Sequence, residues 1–234
     1  MIEIENLHKN FGSVPVLDGV NICIDKPGIY AVLGPNGSGK TTILKTILGM
    51  VLPDKGDILL NKQSVARQSF YRHHIGYLPQ IARFPENLSV EEIISMIIDV
   101  RGEPAEYDFL IEQFDLKSVL KQKLVNLSGG TKQKVNIVMT FMFDNQLIIL
   151  DEPTAGLDPV SMIFLKELIQ KEKEKGKTIL ITTHIIPLVE EISDEIIFLL
   201  EGKIYFKGSI DKIKSQTKQM DLEHAIAQIL RSHD

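Results

Sequence analysis

Residues 1–33 alternate short apolar and polar runs, with Gly12, Asp18-Gly19 and Pro27-Gly28 between them. That pattern predicts strands joined by turns. Ile29-Tyr30-Ala31-Val32-Leu33 is apolar throughout, the mark of a strand covered on both faces. A helical run follows over 42–48. The turn Pro53-Asp54-Lys55-Gly56 then leads into a strand over 57–60, and Pro79-Gln80 ends another over 75–78. The texture changes over 81–127. Ser89 and Glu92 have capping-box spacing, and Val90, Ile93, Ile94, Ile97 and Ile98 recur at helical spacing. A second helix over 106–114 follows the Gly102-Glu103-Pro104 break. Alternation then returns: helix 129–143, strand 147–150, helix 159–175, strand 178–182, and helix 185–192 with Pro187 in its first turn. Two strands flank Glu201-Gly202, and an amphipathic helix covers 221–230. Strands alternating with helices predict an α/β fold with a mostly parallel sheet.

Between the apolar run and the helix at 42–48 stands Gly34-Pro35-Asn36-Gly37-Ser38-Gly39-Lys40-Thr41. This is the strand–GxxxxGK[ST]–helix context of a phosphate-binding P-loop. Glycines let the backbone wrap so that its N–H groups turn inward on anionic oxygens. The helix start behind the loop adds about half a positive charge. Lys40 can reach the β- and γ-phosphates, and the Thr41 hydroxyl can ligate Mg²⁺.

The chain has 234 residues, 44% of them hydrophobic, enough for one large α/β core with a small appended subdomain. A formal charge of -5 gives no support to a nucleic-acid partner. Cys23 is the only cysteine, which excludes an internal disulfide and suits a reducing compartment. The start of the chain lacks a signal pattern. No apolar run approaches the ~20 residues that span a bilayer, so the chain is expected to be soluble, with any membrane role resting on a separate partner.

Leu147-Ile148-Ile149-Leu150-Asp151-Glu152 is an apolar strand ending in two carboxylates. A buried parallel strand delivers its C-terminal end to the ligand crevice. There Asp151 can hold Mg²⁺ through its water shell, and Glu152 can act as general base on the attacking water. A core strand ending in a charged loop would read the same way, but the P-loop in the same chain favours the catalytic reading. Leu127-Ser128-Gly129-Gly130-Thr131-Lys132-Gln133 opens the helix at 129 with a hydroxyl and two glycines. It is either an ordinary N-cap or a second anion-binding helix start.

Together these residues resemble the ATP-binding subunits of ABC transporters, over roughly residues 2–214. Gly34 to Thr41 resembles the Walker A loop, 147–152 the Walker B strand with its catalytic glutamate, and 127–133 the ABC signature. Gln80 is similar to the Q-loop glutamine. Ala155-Gly156-Leu157-Asp158 resembles the D-loop, and His184 the switch histidine. Phe11 stands where the family places an aromatic under adenine. Departures are Phe11 for tyrosine, Thr131 for the usual glutamine, and Lys134 for a frequent arginine. None removes a group that hydrolysis requires.

The resemblance implies a P-loop NTPase core (1–80 and 128–214) that carries an N-terminal antiparallel β-subdomain. It also implies an inserted helical subdomain (81–127) and a C-terminal helix (215–234). It implies ATP and Mg²⁺ as ligands and a head-to-tail homodimer with ATP between one Walker loop and the other subunit's signature. Phe11, Gly34, Pro35, Asn36, Gly37, Ser38, Gly39, Lys40, Thr41 and Thr42 would then bind nucleotide, with Ser128, Gly129, Gly130 and Asp158 across the dimer. Thr41, Gln80 and Asp151 would serve the metal, while Lys40, Gln80, Glu152 and His184 would serve hydrolysis. A transmembrane permease subunit is the implied partner, with a periplasmic accessory protein beyond it. The implied location is cytoplasmic, on the inner face of the inner membrane. The short D-loop run Ala155 to Pro159 resembles the ABC-2 branch, and the overall wording resembles ATPases serving copper-site maturation of nitrous oxide reductase. The alternative is a mechanical ABC ATPase acting on ribosomes or DNA, which the compact single domain and acidic balance disfavour.

Other features have plainer readings. His73-His74 is expected on a solvated turn, and Met139 and Met142 in the core. The charged run 166–177 reads as an exposed helix face, and Cys23 as a packed small hydrophobe.

Overall fold

Turns and apolar runs divide the chain, described over residues 1–81 and 83–231 in the computed structural model, into an alternating series. In order these are β1 (Ile2–Phe11), β2 (Val14–Ile24), β3 (Gly28–Leu33), α1 (Lys40–Ile47), β4 (Lys55–Leu60) and β5 (Gln63–Ser64). Next come β6 (Ile75–Leu78), α2 (Val90–Arg101), α3 (Asp108–Gln113), α4 (Gly129–Phe141), β7 (Leu147–Asp151) and α5 (Pro159–Glu174). The last are β8 (Thr178–Thr182), α6 (Ile186–Ile192), β9 (Glu195–Leu200), β10 (Lys203–Gly208), α7 (Ile210–Thr217) and α8 (Leu222–Arg231). They form two compact units: residues 1–72 with the chain from 178 onward, and residues 73–177.

The first unit contains an antiparallel sheet in the order β2-β1-β4-β5. It also contains β3 paired in parallel with both β8 and β9, with β10 antiparallel on β9. Every residue of β3 is buried, as its unbroken apolar run requires. Ala31 and Leu33 share a core cluster with Val189, Phe198, Phe206, Ile213, Leu222 and Ala225.

In the second unit β6 and β7 pair in parallel, from Ile75 with Leu147 to Leu78 with Leu150. The capping box forms: the Glu92 N–H donates to Ser89 Oγ at 3.2 Å, and the Ser89 N–H donates to Glu92 Oε2 at 2.8 Å. Val90, Ile93 and Ile94 are buried by the predicted stripe, while Ile97 and Ile98 are half-buried. At the other end of α2, the Arg101 guanidinium lies 4.2 Å from the centre of the Phe143 ring. It donates to Asn145 Oδ1 at 3.0 Å and to the His73 carbonyl.

Several sequence expectations are corrected. Asp18-Gly19 is not a turn: β2 runs through it, with Gly19 at φ 70° and the Asp18 N–H bonded to the Gly202 carbonyl at 2.9 Å. β4 begins inside the expected turn, at Lys55. α3 is shorter than 106–114. Cys23 is exposed, because Ile22 and Ile24 take the inward positions of the strand. α7 is a helix that the sequence did not predict, and residues 232–234 of the expected C-terminal helix lie outside the described residues. The run 166–177 is not all solvated. Glu172 and Lys177 are 5% and 3% exposed and pair with each other, and Lys177 also reaches Asp144 at 2.7 Å. Burial opposes the charge on Lys177, but its bonds to Asp144 and Glu172 outweigh burial and raise its pKa.

Candidate active site

The P-loop lies in the first unit, between β3 and α1. A Cβ at Gly34, where φ is 152°, would stand 2.0 Å from the Leu199 carbonyl oxygen on β9 and 2.7 Å from Ser38 Oγ. At Gly39, with φ 105°, a Cβ would stand 2.8 Å from both Leu17 Cδ2 and the Val16 carbonyl oxygen. Both glycines are therefore demanded by close approach as well as by backbone conformation. Ser38 Oγ is buried and has no hydrogen-bond partner among the described residues. A phosphate oxygen would supply the missing acceptor. Lys40 Nζ donates to the Gly34 and Pro35 carbonyls at 2.8 and 3.0 Å, which holds the ammonium over the loop. Pro35, Asn36 and Gly37 are exposed, while Lys40, Thr41 and Thr42 are half-exposed at the start of α1.

The same unit carries Phe11 at the end of β1 and His184 after β8. Phe11 is 52% exposed, and Lys9 Nζ lies 5.5 Å from its ring centre. Asp54 anchors that lysine at 2.9 Å. His184 is exposed on the segment between β8 and α6.

The second unit carries Gln80, Ser128, Gly129, Gly130, Asp151, Glu152 and Asp158, and it ties their segments together through α4. Asp151 is 3% exposed at the end of β7. The Tyr77 hydroxyl has its pKa pushed up to about 12, by burial first and then by the Asp151 carboxylate. Glu152 follows at φ 50°. A non-glycine residue in the left-handed region is uncommon, and such conformations cluster at functional sites. The buried Gln133 side chain of α4 donates to the Pro153 carbonyl at 3.1 Å, fixing the loop after β7. Asn136, one turn further on, donates to the Pro79 carbonyl at 3.3 Å, next to the exposed Gln80.

Ser128 caps α4. Its Oγ accepts the Thr131 N–H at 3.2 Å and lies 2.8 Å from Thr131 Oγ1. The two glycines behind it differ. A Cβ at Gly129 would meet nothing within 4 Å, whereas one at Gly130 would stand 2.5 Å from the Gly156 carbonyl oxygen. Asp158 caps α5, accepting the Ser161 N–H at 2.9 Å. Lys134 Nζ bonds to its Oδ2 at 2.7 Å. That bond, helped by Ser161, holds the Asp158 carboxyl well below the usual carboxylate range. Gln133, Lys134 and Asn136 were not among the site residues read from the sequence. Their partners lie tens of residues away, and the only local signal was a run of polar residues on a helix that is otherwise apolar.

The ABC transporter family profile matches residues 17–155, from β2 to the loop after β7. The chain belongs to this family. Curated relatives agree over most of this chain. The lantibiotic transport ATP-binding protein SrtF of Streptococcus pyogenes is 34% identical over 212 residues, 90% of this chain and 92% of the relative. The Nod factor export ATP-binding protein I of Burkholderia lata is 33% identical, over 89% of this chain and 70% of the relative. A solved ATP-binding subunit of an ABC transporter superposes with a TM-score of 0.92 at 30% identity, covering 98% of this chain and 99% of the other. As an ABC ATP-binding cassette, the chain is a transport-coupled ATPase.

Proposed function

We propose that two copies of this chain close on two ATP molecules and use their hydrolysis to move a separate transmembrane permease subunit of the export type. The observation that carries the reading is the P-loop: a tight glycine cradle, a buried serine hydroxyl that lacks an acceptor, and a lysine held over both. The transport and export functions named for the relatives favour this reading over remodelling of ribosomes or DNA. Among the described residues no helix is long and apolar enough to cross a membrane, so the reading places the transport path in the partner. The inner-membrane location and a periplasmic accessory protein follow from the same reading. Assignment to copper-site maturation of nitrous oxide reductase is narrower and rests on sequence resemblance alone.

In this reading the P-loop N–H groups and Lys40 hold the β- and γ-phosphates, and Phe11 stacks on adenine. Ser128 and Gly129 of the second copy close the open side of the γ-phosphate. Thr41, Asp151 and Gln80 offer the hard oxygen donors that suit Mg²⁺, and no group of three or more His, Cys, Asp or Glu that could hold a metal occurs among the described residues. The ion would therefore share its shell with phosphates and water. When bound it supplies charge neutralisation on the phosphates. Glu152 takes the proton of the attacking water, and His184 hydrogen-bonds the γ-phosphate and orients that water. Loss of phosphate removes contacts that only the triphosphate makes, so the two copies separate. Gln80 links the metal site to the helical subdomain and the permease.

Glu152→Gln tests the central step. Steady-state turnover should fall about 10²–10⁴-fold, while ATP binding persists and light scattering shows an ATP-held dimer. Wild-type turnover in this variant would overturn the assignment of the base.

A further inference from the structure

One carboxylate oxygen ties three helices of the first unit together. Glu190 lies on α6, one turn after Ile186. Lys214 Nζ, from the last turn of α7, stands 2.7 Å from Glu190 Oε1. The N–H of Leu222, the first residue of α8, donates to the same oxygen at 3.3 Å. A carboxylate at a helix start also meets the positive end of the helix dipole. Beneath this junction, Val189 of α6 shares a core cluster with Ile213 of α7 and with Leu222 and Ala225 of α8.

α6 has seven residues. A helix that short does not hold itself, so packing sets its place. His184 stands two residues before it. The intervening Ile185 N–H is held by Thr183 Oγ1 at 3.1 Å, and Ile186 packs against the same cluster. The segment carrying His184 therefore has two fixed ends. One is β8, paired along β3. The other is α6, held by α7 and α8.

We infer that Glu190 is a positioning residue for His184: by tying α6 to the C-terminal helix pair it sets the place from which the histidine reaches the nucleotide. This rests on the reading of His184 as a partner of the γ-phosphate. The C-terminal helices are then part of the hydrolytic apparatus without touching ATP.

The test uses the full chain with Glu190→Ala, Lys214→Ala and the exchange Glu190→Lys with Lys214→Glu. The first readout is the His184 ring resonance in nucleotide-free protein, assigned with His184→Ala. Glu190→Ala should shift that resonance and leave those of His73 and His74 in place. Its kcat should fall about tenfold to a hundredfold, with the ATP Kd unchanged. Lys214→Ala removes the ion pair alone and should act in the same direction, which keeps the test open if Glu190→Ala does not fold. The charge exchange rebuilds the α6–α7 ion pair but leaves the Leu222 N–H without its acceptor, so both readouts should recover in part relative to Glu190→Lys alone. An unmoved His184 resonance in Lys214→Ala and Glu190→Ala overturns the inference, whatever the activity. A moved resonance with unchanged kcat supports the positioning and counts against the hydrolytic role of His184, which the turnover of His184→Ala tests separately.

Discussion

α1 and α4 both begin at glycine-rich turns, and both offer backbone donors to an anion, yet the two starts are finished differently. The cap of α1 is Gly39, which has no side chain to compete for the donors, and the nearby Ser38 hydroxyl is buried with no described partner. The cap of α4 is Ser128, whose oxygen is already engaged by the N–H and hydroxyl of its own Thr131. In the first start the Ser38 hydroxyl lacks an acceptor among the described residues, and under the proposed function a phosphate supplies it. In the second the cap hydroxyl already has partners within the chain. Under the proposed function, this difference implies that ATP binds first to the P-loop and recruits a second copy's signature afterwards. The α1 cradle lacks an acceptor in isolation, whereas Ser128 must exchange one set of contacts for another.

Removing the cation from the incomplete start should have the largest effect. In Lys40→Ala the phosphates lose their charge-assisted donor, worth about 1.5–3 kcal/mol. ATP affinity by calorimetry should fall by about tenfold or more, and steady-state turnover should vanish. Unchanged kinetics would place the triphosphate elsewhere and dissolve the comparison.

The glycines of the second start separate packing from ligand approach. At Gly130 a methyl group would meet the Gly156 backbone oxygen, an atom that cannot swing aside. Gly130→Ala should therefore destabilise the fold by about 1–3 kcal/mol, against the ordinary gain of alanine in a helix. Gly129 faces open space. Gly129→Ala should leave the urea midpoint at or above that of the native protein and weaken ATP-dependent dimerisation, measured on the Glu152→Gln background. If both substitutions behave alike in both assays, the two glycines do not divide these tasks.

The same contrast explains what the chain disclosed as a string of letters. β3 and β7 were legible because a strand buried on both faces must be apolar throughout, and the glycine-rich loop because its glycines and lysine fall within one short run, Gly34 to Lys40. The capping box of α2 was legible for the same reason, since its partners lie three residues apart. Contacts made across long separations were not. The Asp18 N–H meets the Gly202 carbonyl, so β2 continues where the local letters spell a turn. The buried Lys177 meets Asp144, which lies far back in the chain before β8 and α5, although its neighbours read as a solvated helix face. Lys134 and Asp158 look like unrelated surface charges until α4 and α5 bring them within 2.7 Å. The left-handed backbone at Glu152 has no letter of its own, because glutamate seldom takes that conformation and only the surrounding structure imposes it.

The smallest effect sharpens the comparison most. If the α4 start is complete within one chain, its serine must contribute to stability before any nucleotide arrives. Ser128→Ala removes the acceptor of the Thr131 N–H and should cost about 0.5–2 kcal/mol, read as a lower urea midpoint in nucleotide-free protein. Adding ATP to the same variant on the Glu152→Gln background should show weakened dimerisation as a separate loss, since under the proposed function the hydroxyl also serves the second copy's phosphate. A midpoint equal to that of the native protein would mean that Thr131 does not hold Ser128 in the single chain. The signature would then be as incomplete as the P-loop, and the order of events drawn from their difference would have no basis.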